Sequence, residues 1–117
     1  MRHLKLGSVE EKDGSQTHIA SFLCKLLDTS PDPGVRAGMS PKSMLTRAKL
    51  IMQLEALGPD IDSIDIEDAE FELLKGIFDA ANFTRISNAV LAIHDYLNGR
   101  EFKPAPVINL DERRNMQ

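Results

Sequence analysis

The chain has 117 residues and a net charge of −4; that length suits one domain, with roughly two-thirds of the unfolded surface buried in an independent core. The absence of Trp and the single Tyr argue against a base-stacking surface for single-stranded nucleic acid. The acidic balance argues against a DNA-coating protein, and the lone Cys24 excludes an intramolecular disulfide and a Cys-rich zinc site. A reducing compartment fits, no apolar run approaches the ~20 residues of a bilayer span, and no signal-peptide pattern opens the chain.

Residues 1–17 read as polar and strand-like. His3-Leu4-Lys5-Leu6 alternates, and Asp13-Gly14 is a favoured hairpin turn. Leu4–Leu6 has two candidate partners, the weakly β Ser15–His18 or the alternating Ile64-Asp65-Ile66. Thr17 is placed to cap a first helix running to Asp28, whose Ile19, Phe22, Leu23, Leu26 and Leu27 match the amphipathic template. Cys24 lies beside that stripe and reads as a packed small hydrophobe.

Residues 28–39 contain two prolines and two glycines and form a loop, long enough to belong with functional or mobile loops. Ser40-Pro41 then starts a second helix, Ser at N-cap and Pro at N1, which runs to Leu57 and stops at Gly58-Pro59. Its Met44, Leu45, Ala48, Ile51, Met52 and Leu54 cover a wider arc than one neighbour requires, so the helix is either central or partner-binding.

The third helix follows Ile64–Ile66. Glu67 opens it as an imperfect capping box with Glu70, and Ile66 and Phe71 take the staple positions. Acidic residues in its first turn suit the helix dipole. Phe71, Leu74, Phe78 and Ala81 carry its buried face, widened by Leu73 and Ile77. Gly76 inside it costs ~1 kcal/mol relative to Ala, and it reads either as room for the close approach of another backbone or as a neutral choice. Ser87 caps the last helix, Ile86 is placed to staple to Leu91, and Val90, Ile93, His94 and Leu97 form its inward stripe. Asn98-Gly99 stops it.

From Arg100 the chain changes character. Pro104 and Pro106 forbid a helix there, and Val107, Ile108 and Leu110 form a short apolar patch. These three are the candidate partner-binding residues, suited to docking as an extended segment. The predicted fold is mainly α: helices over 18–28, 41–57, 68–81 and 88–98 with a minimal β element, α+β at most, in one domain spanning 1–99, followed by an extended arm over 100–117.

Charge divides the middle of the chain. Pro33–Leu54 carries Arg36, Lys42, Arg47 and Lys49 and no acid, while Glu55–Asp79 carries nine acids against Lys75 alone, a net of −8. This split fits solvated helix faces, electrostatic self-association of the basic helix with the acidic segment of another copy, or phosphate contact by the basic residues.

Catalytic and metal patterns are missing. Asp60, Asp62, Asp65, Glu67 and Asp68 fail the calcium-loop template, with no sixth-position Gly and Phe71 at the twelfth. His3, His18 and His94 have no ligand partner at helical spacing, and no nucleophile elbow or phosphate-cradling glycine loop is present. The sequence therefore implies no enzyme, no metal and no cofactor. The basic helix Arg47–Leu57, the run Ile64–Lys75 and the helix ending near Leu97 together resemble a group of small uncharacterised proteins of tailed bacteriophages and prophages, over about half the chain. That resemblance implies a cytoplasmic accessory protein (host cytoplasm if phage-encoded) that works by binding. The expected function is a protein–protein interaction module, binding a partner or itself as a homo-oligomer, with no membrane. The alternative is a nucleic-acid-binding regulator using Arg36, Lys42, Arg47 and Lys49.

Overall fold

A computed structural model describes residues 1–58 and 60–102. Its elements in order are β1 (Arg2–Lys5), β2 (Ser8–Glu10), β3 (Gln16–His18), α1 (Ile19–Thr29), α2 (Pro41–Glu55), β4 (Ser63–Ile66), α3 (Asp68–Ala80) and α4 (Asn88–Leu97). The four helices fall within three residues of their predicted bounds. The mainly α expectation is nevertheless corrected: the protein is α+β, with two antiparallel two-stranded sheets, β1–β4 and β2–β3.

Of the two candidate partners of Leu4–Leu6, Ile64–Ile66 is the one that pairs; Gln16–His18 pairs instead with Ser8–Glu10. β1 pairs with β4 in the register Leu4↔Ile64 and Arg2↔Ile66, while Gly14, at φ +88°, turns the β2–β3 hairpin in a conformation that costs glycine little. These strands are structural because their inward residues complete the core. Leu4, Leu6, Val9 and Ile66 are buried together with Leu23, Leu27, Leu50, Leu74, Ile77 and Ile93. On the outer face of the β1–β4 sheet, the His3 ring and Asp65 pair at 3.0 Å; on the core-facing side, at the sheet edge, the Arg2 guanidinium lies 4.0 Å from the Phe71 ring centre.

The helix ends follow local chemistry, with one exception. Ser40 Oγ accepts from Ser43 N–H at 3.1 Å, and Ser87 Oγ accepts from Val90 N–H at 3.4 Å. Asn98-Gly99 closes α4 with the paired bonds Gly99 N–H to Tyr96 O and Arg100 N–H to Asp95 O, a Schellman arrangement. The exception is α1, where Thr17 belongs to β3 and the N-cap is His18, without a side-chain cap bond. Pairing of Thr17 with Val9 takes the residue that local propensity assigned to the cap.

The α4 stripe is rotated from its prediction. Ala89, Ala92, Ile93 and Leu97 are buried, whereas His94 is exposed, as are the predicted staple residues Ile86 and Leu91. Small alanines let α4 sit close to its neighbours, so the buried arc runs one position earlier. The close neighbour of Gly76 is a side chain rather than a backbone: a Cβ there would lie 3.3 Å from the Pro33 ring, where the 30–40 loop crosses α3.

All buried apolar side chains among the described residues lie between Leu4 and Leu97, and Phe102 packs half-buried against the core. A chain ending after Lys103 is therefore expected to keep its far-UV helical signal and to change in stability by less than ~0.5 kcal/mol, the range of substitutions away from core features. A thermal melt at high dilution checks this; unfolding on truncation would make residues 104–117 part of the core.

Candidate functional site

Helix α2 has two apolar faces. Ser43, Arg47, Leu50 and Leu54 point inward, with Arg47, Leu50 and Leu54 fully buried against the rest of the domain. On the opposite side Leu45 is 74% exposed and Met52 71% exposed, with Met44 also in solvent and Ala48 between them. Leu45 and Met52 are seven residues apart, two turns or about 10 Å along the helix. The wide apolar arc thus resolves into a core stripe and a separate outward stripe.

The outward stripe borders a shallow groove of about 410 Å³ between α2 and the start of α3, lined by Leu45, Thr46, Ala48, Lys49, Met52, Glu67, Ala69 and Glu70. Its floor is held by Glu70, whose Oε1 accepts from Glu67 N–H at 3.1 Å and whose Oε2 accepts from Gln53 Nε2 at 2.8 Å. Glu70 is therefore buried and bonded, while Lys49 and Glu67 stand exposed on opposite edges. The groove couples an apolar seam of Leu45, Ala48 and Met52 to charged side chains of both signs.

The basic candidates separate. Arg36 is exposed in the 30–40 loop, and Lys42 and Lys49 are exposed on α2. Arg47 is only 2% exposed. Its Nη1 donates to Leu27 O at 2.8 Å and Ser30 O at 2.6 Å, Nη2 to Asp32 Oδ1 at 2.9 Å, and Nε to Ser43 Oγ at 2.9 Å. Arg47 therefore ties the C-terminal end of α1 and the loop onto α2, and it presents no surface to a phosphate. Asp32 is the loop's other anchor. The Ser43 hydroxyl, the Ser40 N–H and the Arg47 guanidinium hold its carboxyl below the ordinary range. Nothing in the composition of the loop pointed to this pinning; the signal available was a lone Arg on the inward spacing of α2.

The candidates Val107, Ile108 and Leu110 lie outside the described residues. Cys24 is half-buried and packs against the core; burial, with the Glu55 charge nearby, pushes its thiol up, so it stays protonated at neutral pH. In the acidic run, Asp65 pairs with His3 on the surface, Glu67 is the α3 N-cap, Asp68 lies 3.8 Å from the N-terminal ammonium, and the main-chain carbonyl of Asp62 accepts from Leu6 N–H.

A second hollow, between the β2–β3 hairpin and the start of α4, is lined by Glu11, Phe22, Phe83 and Arg85 among others. Sequence reasoning missed Glu11. Its carboxylate accepts from Ser87 Oγ at 2.9 Å, Asn88 N–H at 3.2 Å and Ala89 N–H at 3.0 Å, capping α4 from a distant part of the chain. Burial works to raise its pKa, but the bonds from Ala89, Ser87 and Asn88 outweigh that and hold it below 4.5. A depressed folded-state pKa gives stability that is complete above the unfolded value and lost as pH falls through the folded one. Glu11→Gln is expected to cost ~1 kcal/mol at pH 7, the size of a cap loss. It should also flatten the stability–pH curve below about 4.5; denaturant melts between pH 3 and 7 check both.

Among the described residues no helix is long and apolar enough to cross a membrane. Comparison of the chain with protein-family models, curated proteins and solved structures finds no match.

Proposed function

We propose that this chain is a protein–protein interaction module whose binding surface is the outward face of α2 with the adjoining start of α3. We further propose that it acts in the cytoplasm as an accessory or assembly component, of the kind implied by its resemblance to phage and prophage proteins. One observation carries the reading: Leu45 and Met52 stand almost fully in solvent on one helical stripe, beside a formed groove. A single exposed Leu is ordinary; two large apolar side chains two turns apart, with a small residue between them and charges at the rim, are the anchors an interface uses.

The basic α2 surface and the acidic α3 start supply both signs within one face, which favours register and partner choice over raw affinity. The test uses tagged full-length protein in its native host, wild type beside Leu45→Asp and Met52→Asp. A partner held by wild type and lost at least tenfold by both variants, at unchanged thermal midpoint, supports the proposal. Equal recovery with all three proteins overturns it.

A further inference from the structure

We infer that the hollow between the β2–β3 hairpin and the start of α4 binds a small aromatic monocarboxylate, its ring against Phe83 and its carboxylate met by Arg85 and Lys12. The site is separate from the α2 face and independent of its reading. The hollow measures about 440 Å³, within the ~300–1,000 Å³ of small-molecule sites. Its walls are already fixed to one another. Glu11, just past β2, accepts from Ser87, Asn88 and Ala89 at the α4 start, so hairpin and helix cannot separate without breaking those bonds.

Phe83 supplies the apolar wall. Its ring stacks on Phe22 of α1 with centres 6.1 Å apart, and lies tilted against Phe78 of α3 at 5.7 Å. Two aromatic contacts hold the ring, yet Phe83 is 39% exposed and lines the hollow. A held ring with free surface offers offset stacking to a planar ligand.

Charge selects the ligand. Both carboxylates of the hollow already accept from the protein: Glu11 from the α4 start, and Asp13 Oδ1 from the N–H and the hydroxyl of Ser15, at 2.9 and 2.6 Å. Lys12 and Arg85 line the same hollow, and among the described residues neither forms an ion pair. The charged groups left to bind a ligand are therefore donors, which suits an anion. A guanidinium engages a carboxylate through two parallel bonds. Two cations beside two carboxylates leave the hollow formally neutral, so a dianion such as a phosphate monoester meets as much repulsion as attraction, and a single negative charge fits better.

Titration of the isotope-labelled full chain with naphthoate, followed by nitrogen–proton correlation spectra, tests this. The expected result is saturable shifts at residues 11–17 and 83–90 with a Kd of about 1 mM or tighter, the efficiency of an ordinary ligand of that size. Naphthamide, which keeps the rings without the charge, and naphthyl phosphate should each bind at least fivefold more weakly. Arg85→Gln should weaken naphthoate by a similar factor, on the scale of a hydrogen bond to a charged group, at an unchanged circular dichroism melt. Phe83→Leu keeps the wall apolar and should weaken it at least twofold through the lost ring. No saturable shift up to ~10 mM, tenfold above that Kd, overturns the inference. So do shifts confined to the α2 face around Leu45 and Met52, naphthamide matching naphthoate, or indifference to Arg85→Gln. Tighter binding of naphthyl phosphate or of the cation naphthylmethylamine overturns it as well.

Discussion

Arg47→Ala is expected to lower the stability of the domain by about 3–5 kcal/mol, the cost of leaving two carbonyls without their donor and of breaking a hydrogen-bonded ion pair whose acid is only partly buried. The substitution strands the carbonyls of Leu27 and Ser30, which face the vacated volume, and removes one of the two donors to Asp32 Oδ1. Asp32 keeps its bonds from Ser40 and Ser43, so its charge is not wholly abandoned, which places the loss inside that range. Arg47→Lys should recover only part of it. A single ammonium cannot reproduce a planar fork directed at three acceptors in different elements. Chemical denaturation of the three proteins, with hydrogen exchange at Ser30–Ser40, checks the account. A loss below ~1 kcal/mol for Arg47→Ala would mean that the loop is held by something else. The same substitution is unsuitable as a probe of nucleic-acid binding, because Arg47→Glu would bury an acid beside Asp32 and unfold the site it was meant to report on.

Arg47 also shows where the sequence could be read and where it could not. Three helices were legible from a start signal, Ser40-Pro41 for α2, the acidic first turn for α3 and Ser87 for α4, and α1 from its periodic stripe alone. The side of α2 that is buried was not legible. Its inward row is Ser43, Arg47, Leu50, Leu54, so two of four positions are polar, while the outward row holds Leu45, Ala48 and Met52. Hydrophobicity alone therefore left the apolar arc either central or partner-binding and put the arginine on the surface. The tertiary acceptors that reverse this lie 15 to 20 positions earlier in the chain, beyond the reach of any local pattern. Glu11 is the same case at greater separation, with its helix N-terminus 77 positions away. The groove beside α2 was legible only in part: the surplus of apolar residues was visible, but that Leu45 and Met52 form a stripe apart from the core follows only from the placement of α1 and α3.

The strands were the weakest signal, and Leu4→Ala tests whether their role has been read correctly. Three- and four-residue strands hold barely one period of alternation, so β1 and β2 looked like decoration on a helical domain. In the fold, Leu4 is 1% exposed, faces the same side of the sheet as Ile64, and shares the core with Ile66 on the neighbouring strand. Truncating a Leu at such a position removes its transfer free energy and leaves a cavity that the surrounding elements only partly fill, a cost of about 2–5 kcal/mol. The upper part of that range is expected because the wall is made of both sheet and helix, and neither collapses readily without breaking the β1–β4 register, in which a one-residue slip would turn every side chain to the other face. His3→Ala, one position along on the solvent side, removes only an exposed pair with Asp65 and should cost at most ~1 kcal/mol. Urea titrations of the two variants side by side decide the matter. A large loss at Leu4 with little at His3 makes β1 a core strand, whereas equal small losses would return the domain to a helical bundle with an incidental strand.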